Sequence, residues 1–140
     1  MKIFLAAPLF SEAERDYNAK TAKTLRENGF EVWLAQETQF IQHDAHKEKK
    51  MIYDGDIQAL KTSDIVVAVL DGVDVDTGVA YEMGYAKALG KPLIGLKTDH
   101  RTFSRIEEVN LMLEAPTIKI CKTINDLIDT LNKMKQQETR

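Results

Sequence analysis

Three acidic residues of this chain stand at positions where a carboxylate can do chemistry. Glu82 falls on the apolar side of a predicted helix, between Val79 and Ala86, on a face marked by Val79, Met83, Ala86 and Leu89. Asp56 lies between Ile52 and Leu60 at four-residue steps, in the middle of a second helical stripe that Ile52, Ile57 and Leu60 define. Asp76 precedes Glu82 by six residues, in the acidic loop that opens the same helix. An inward carboxylate without a partner is costly, so it must find donors or hold a proton. The start of the helix favours an ionised Glu82 through its backbone dipoles. Mutual repulsion in a partly dry pocket works the other way and keeps at least one of the three protonated near neutrality. Such a set suits reaction at an electron-poor carbon, where one carboxylate attacks and another carries the leaving group's proton. The plainer alternatives are a surface-exposed Glu82 and an Asp56 that bonds nearby backbone.

The elements that must position these residues alternate in type along the chain. Lys2–Ala7 reads as a first strand that Pro8 ends, and Ser11 with Glu14 makes a capping box for a helix closed by Asn28 and Gly29. Phe30–Ala35 is a second strand. The polar stretch from Gln36 to about Lys50 reads as a long loop able to fold over a site, and a helix from about Met51 to Thr62 follows. Asp64–Leu70 is the strongest strand signal, and Asp71–Gly90 then forms an acidic loop and short helix. In that helix Ala80, Gly84 and Ala88 form a stripe of small residues expected to pack on the sheet. Lys91–Leu96 is a fourth strand, 106–113 a short helix, Thr117–Cys121 a fifth strand, and Thr123 to about Gln136 a closing amphipathic helix.

Strands alternating with helices predict a doubly wound α/β fold: a five-stranded parallel sheet of order 2-1-3-4-5, flavodoxin-like, with helices on both faces. The loops after Ala7 and Leu70 then meet at the switch point, where such sheets bind ligands. They hold Phe10, Asp76 and Glu82.

With 140 residues, 44% of them hydrophobic and 29% charged, the chain suits a single globular domain with a full core. Its net charge of -3 makes no electrostatic case for nucleic-acid binding. Cys121 stands alone in an apolar run, which predicts no disulfide and a reducing cytosol as the home of the protein. No run approaches transmembrane length, and the apolar amino terminus reads as a buried strand instead of a signal peptide. His43, Asp44 and His46 lack the further ligands of a metal site and read as a solvated loop. Neither a Gly-x-Gly-x-x-Gly turn nor a Walker lysine loop follows the first strand, which argues against dinucleotides and triphosphates. The absence of a Gly-x-Ser-x-Gly elbow argues against a serine hydrolase.

The sequence resembles the nucleoside 2-deoxyribosyltransferase family. The matching pieces are Ile3–Ser11, Asp56–Asp64, the block from Asp76 through Glu82 to Ala86, and Asn110–Met112, in the family's order. The block with an aspartate six residues before the glutamate is the most specific. The resemblance implies that Glu82 attacks C1′ of a 2′-deoxynucleoside and forms a deoxyribosyl ester, with net retention after a second base attacks. It implies that Asp76 and Asp56 bind the nucleobase edge and move its proton, and that Phe10, Ala7 and Gly78 line the substrate pocket. Asn110 falls in the segment by which a neighbouring subunit completes each site, so the resemblance implies a homo-oligomer, at least a dimer. No metal or organic cofactor is implied, and the role is nucleoside salvage. One departure stands out: Phe4 occupies the position of a tyrosine that contacts the nucleophile in well-known members. The alternatives are an N-glycosidase acting on deoxynucleosides or their 5′-monophosphates, and a non-catalytic nucleoside-binding protein. The turn Pro8–Ser11 offers no cation for a phosphate.

Overall fold

The computed structural model describes residues 1–38 and 45–138. Strands β1 (Lys2–Ala6), β2 (Glu31–Leu34), β3 (Ile65–Val69), β4 (Leu93–Leu96) and β5 (Lys119–Cys121) form one sheet in the order β2-β1-β3-β4-β5. Every pairing is parallel, as the alternation of elements predicts. The connecting helices are α1 (Glu12–Glu27), α2 (Ala45–Thr62), α3 (Thr77–Ala88), α4 (Leu111–Glu114) and α5 (Ile124–Glu138), with a short 3-10 turn at Ala35–Thr38.

The pleat divides the core in two. Ile3, Leu5, Val67, Val69 and Ile94 point to one face, where Ala22 and Leu25 of α1 and Leu127 and Leu131 of α5 cover them. Phe4, Ala6, Val66, Ala68 and Leu93 point to the other, under Leu60 of α2 and Val79, Met83 and Ala86 of α3. With both faces covered, β3 is buried at every residue, which explains its unbroken Ile-Val-Val-Ala-Val run. The second face carries the inward side of α2 and α3, and so brings Asp56 and Glu82 toward the same end of β1.

Several expected boundaries move. Helix α2 begins at Ala45, well before Met51, so the loop after β2 is shorter than its polarity suggests. Residues 39–44, with His43 and Asp44, lie outside the described residues, as does the side chain of His46. The helix expected over 106–113 is the single turn of α4. Before it, Ser104 Oγ accepts from Glu107 N (3.1 Å), Glu107 Oε1 from Leu111 N (2.9 Å) and Glu114 Oε2 from Glu108 N (2.8 Å). Side chains here take the backbone donors that a helix would need. The small-residue stripe of α3 is also corrected: Gly84 and Ala88 face outward and Ala80 is only partly covered, while Leu89 is exposed at the helix end.

Candidate active site

The loop after β1 is fastened before it reaches the site. Ser11 caps α1 through its hydroxyl, and Glu14 Oε2 accepts in return from Ser11 N (2.9 Å) and Phe10 N (2.8 Å). Arg15 Nη1 donates to the carbonyls of Leu9 (3.2 Å) and Phe10 (3.0 Å). Buried Asn18 donates to Pro8 O (2.8 Å) and to Gln36 Oε1 (3.1 Å), tying this loop to the turn after β2.

The loop after β3 is fastened just as firmly. Asp71 accepts from Thr98 N (2.7 Å), Thr98 Oγ1 (2.6 Å) and Asp99 N (2.9 Å), joining it to the loop after β4. Gly72 turns it at φ +126°, where a β-carbon would stand 2.9 Å from Asp74 O. Asp76 then caps α3, its Oδ2 accepting from Val79 N at 3.1 Å. One oxygen thus bonds the helix while the residue also walls a cavity.

That cavity, about 330 Å³, opens between the two loops at the switch point. Asp56, Asp76 and Glu82 all line it, and so do Ala7, Phe10 and Gly78. Gly78 fits because a β-carbon there would come within 3.1 Å of Asp76 Oδ2. Phe10 stands at the rim, 74% exposed. Phe4 is fully buried in the wall and brings no polar group to it. Asn110 is placed elsewhere: it caps α4 through Oδ1, which accepts from Met112 N at 3.0 Å, and it does not line this chain's cavity.

The electrostatics are those of crowded carboxylates. Glu82 is pushed from its ordinary 4.5 up to about 8, first by burial and then by the charges of Asp56 and Asp76. Burial and like charge thus outweigh the favourable end of the helix dipole. Asp56 is also raised by burial, against the pull of the Trp33 indole N–H. Among the described residues, no group of three His, Cys, Asp or Glu is arranged to hold a metal ion. No helix among them is long and apolar enough to cross a membrane.

Sequence reasoning missed part of the wall. Leu9, Ala35, Thr38 and Ile52 line the cavity as well. Ile52 was within reach, one helical turn before Asp56 on the same face. Ala35 and Thr38 follow β2 directly, at the carboxyl edge where an adjacent strand must also contribute. A second groove, about 410 Å³, reaches Asp56, Gly78 and Glu82 from outside between Tyr53 and Tyr81, whose hydroxyls are 2.8 Å apart.

Comparison with known proteins identifies the family and the fold. A nucleoside deoxyribosyltransferase from Limosilactobacillus fermentum is 30% identical, over 80% of this chain and 73% of that one. The structure of a 2-deoxyribosyltransferase from Bacillus psychrosaccharolyticus superposes with a TM-score of 0.81 at 27% identity, covering 91% of this chain and 90% of its own. A CMP N-glycosidase from Clostridium botulinum shares the fold at a TM-score of 0.58 and 23% identity, over 94% of this chain and 99% of that one. The family model described as nucleoside 2-deoxyribosyltransferase matches residues 3–132, and the chain belongs to that family of enzymes.

Proposed function

We propose that this chain transfers 2-deoxyribose from one nucleobase to another through an ester on Glu82. The observation that carries the reading is one cavity holding three carboxyl groups, with Glu82 raised to about 8 by burial and by the other two. Near neutrality the free site then keeps a proton on the group that must attack as a carboxylate. The departing base needs that proton.

When a deoxynucleoside enters, the proton passes by way of Asp76 or Asp56 to the base. A Glu82 oxygen bonds to C1′ from the face opposite the base, and the C1′–N bond breaks. Its electron pair leaves with the base, which departs neutral because it has gained the proton. A second base attacks C1′ from the vacated face, returns a proton to the carboxylates and frees Glu82. Two inversions give net retention. No step changes an oxidation state, and no cofactor is invoked. Phe10 at the rim offers a ring for the base, with Ala7 and Gly78 leaving room beside it.

The proposal includes a homo-oligomer with shared sites, working on deoxynucleosides in the cytoplasm. Asn110 does not line its own cavity and stands just before exposed Leu111 and Met112, and the outer groove at Tyr53 and Tyr81 reaches Glu82 from the side a neighbour would occupy. Lone, buried Cys121 suits a reducing compartment.

Incubation with deoxyinosine and adenine tests the activity. Deoxyadenosine is the expected product. Hypoxanthine with free sugar alone would make the enzyme an N-glycosidase, and no turnover of any deoxynucleoside would leave only a binding protein.

A further inference from the structure

Trp33 is the chain's single tryptophan. It pairs with Phe4 across the β1–β2 ladder, so both side chains point to the face that α2 and α3 cover. Phe4 and Asp56 line the cavity while Trp33 does not, which places the indole behind the wall. Its Nε1 is buried and makes no hydrogen bond to the described residues. Buried donors are rarely left so.

The acceptor that answers it is Asp56. The indole N–H favours the charged Asp56 carboxylate, against the burial that disfavours it, yet no hydrogen bond joins the two. The terminal torsion of an aspartate is broad, so a small rotation of the carboxylate closes the gap. The other groups that face Asp56 are acidic or exposed. Helix α3 presents Glu82 and, in the outer groove, Tyr81; its N-cap is Asp76, and α2 itself presents Lys49 and Tyr53 in that groove. From the sheet side β1 gives hydrocarbon at Phe4 and β2 gives the indole.

We propose that Trp33 is a positioning residue whose indole N–H holds one oxygen of Asp56 and leaves the other turned into the cavity. Ionised Asp56 gains the bond, so the proton of the site is kept on Glu82 and the base, and Asp56 is ready to pass it on. The inference rests on the reading of Asp56 as a group that moves the proton of the base.

The test uses the whole protein and its one tryptophan. Emission is titrated from about pH 4 to about pH 9 in the wild type, in Glu82→Gln and in the Glu82→Gln, Asp56→Asn double variant. A transition above the ordinary carboxylate range is expected in the wild type and in Glu82→Gln, and its loss from Glu82→Gln when Asp56→Asn is added. Trp33→Phe keeps a ring and removes the donor, so the acid limb of kcat should rise by about one pH unit with KM unchanged, roughly a tenfold loss of kcat below that limb. A transition that survives in the Glu82→Gln, Asp56→Asn double variant, no transition in Glu82→Gln, or a Trp33→Phe pH profile that overlays the wild type would overturn the proposal. If Trp33→Phe does not fold, the emission titration decides alone. If the protein turns over no deoxynucleoside, the transfer reading falls while the emission titration still decides whether Trp33 and Asp56 are paired.

Discussion

Replacing Glu82 by Gln should stabilise the fold near neutrality, and the gain should grow with pH. Folding raises the Glu82 carboxyl from 4.5 to about 8, so the folded chain binds more protons than the unfolded one between those values. The contribution of this group is fully present below about 4.5 and is lost as pH climbs toward 8. Each pH unit in that window is worth about 1.4 kcal/mol, which makes the loss roughly 3 kcal/mol at pH 7. Glu82→Gln keeps the shape and removes the titration. Urea unfolding of both proteins at about pH 4.5, 6, 7 and 8 should show the variant gaining on the wild type by roughly 3 kcal/mol up to pH 7 and about 1 kcal/mol more by pH 8. A stability difference that stays flat with pH would refute the reasoning, because it would mean that the carboxyl ionises in the folded chain as freely as in the unfolded one.

Other perturbations separate chemistry from architecture. Asp76→Asn should leave stability within about 0.5 kcal/mol, since asparagine caps a helix as well as aspartate, while kcat falls by roughly a hundredfold; Asp76→Ala should add a stability cost of about 1 kcal/mol. Gly78→Ala places a β-carbon within 3.1 Å of Asp76 Oδ2, so steady-state kinetics should show a several-fold drop in kcat while thermal unfolding shows little change. Gly72→Ala should do the reverse, costing more than about 1 kcal/mol in unfolding experiments, because φ +126° and a contact of 2.9 Å to Asp74 O both oppose a side chain.

Much of this arrangement was legible in the residues. Strands alternating with helices called for the parallel sheet, and the order β2-β1-β3-β4-β5 put the loops after β1 and β3 together. Asp56 and Glu82 betrayed themselves by interrupting apolar stripes, because a carboxylate on a buried face is too costly to sit there by chance. Small residues gave no such signal. Ala80, Gly84 and Ala88 have the period of a packed face, yet a stripe that carries so little area fits equally well outside, where Gly84 and Ala88 lie while Ala80 is half-buried against the core. The turn of α4 was overread because pattern cannot register Ser104, Glu107 and Glu114 competing for backbone donors. Trp33 read as a strand residue and no more, since what its indole meets depends on how α2 packs over the same face of the sheet, which spacing along the chain does not show.

The most direct measurement is capture of the intermediate. The protein is mixed with a 2′-deoxynucleoside in the absence of a second base, quenched in acid, digested and mapped by mass spectrometry. One deoxyribosyl unit is expected on the peptide that carries Glu82, absent in Glu82→Ala and discharged when adenine is added before the quench. A sugar carried on any other residue, or base exchange that persists in Glu82→Ala, would contradict the account.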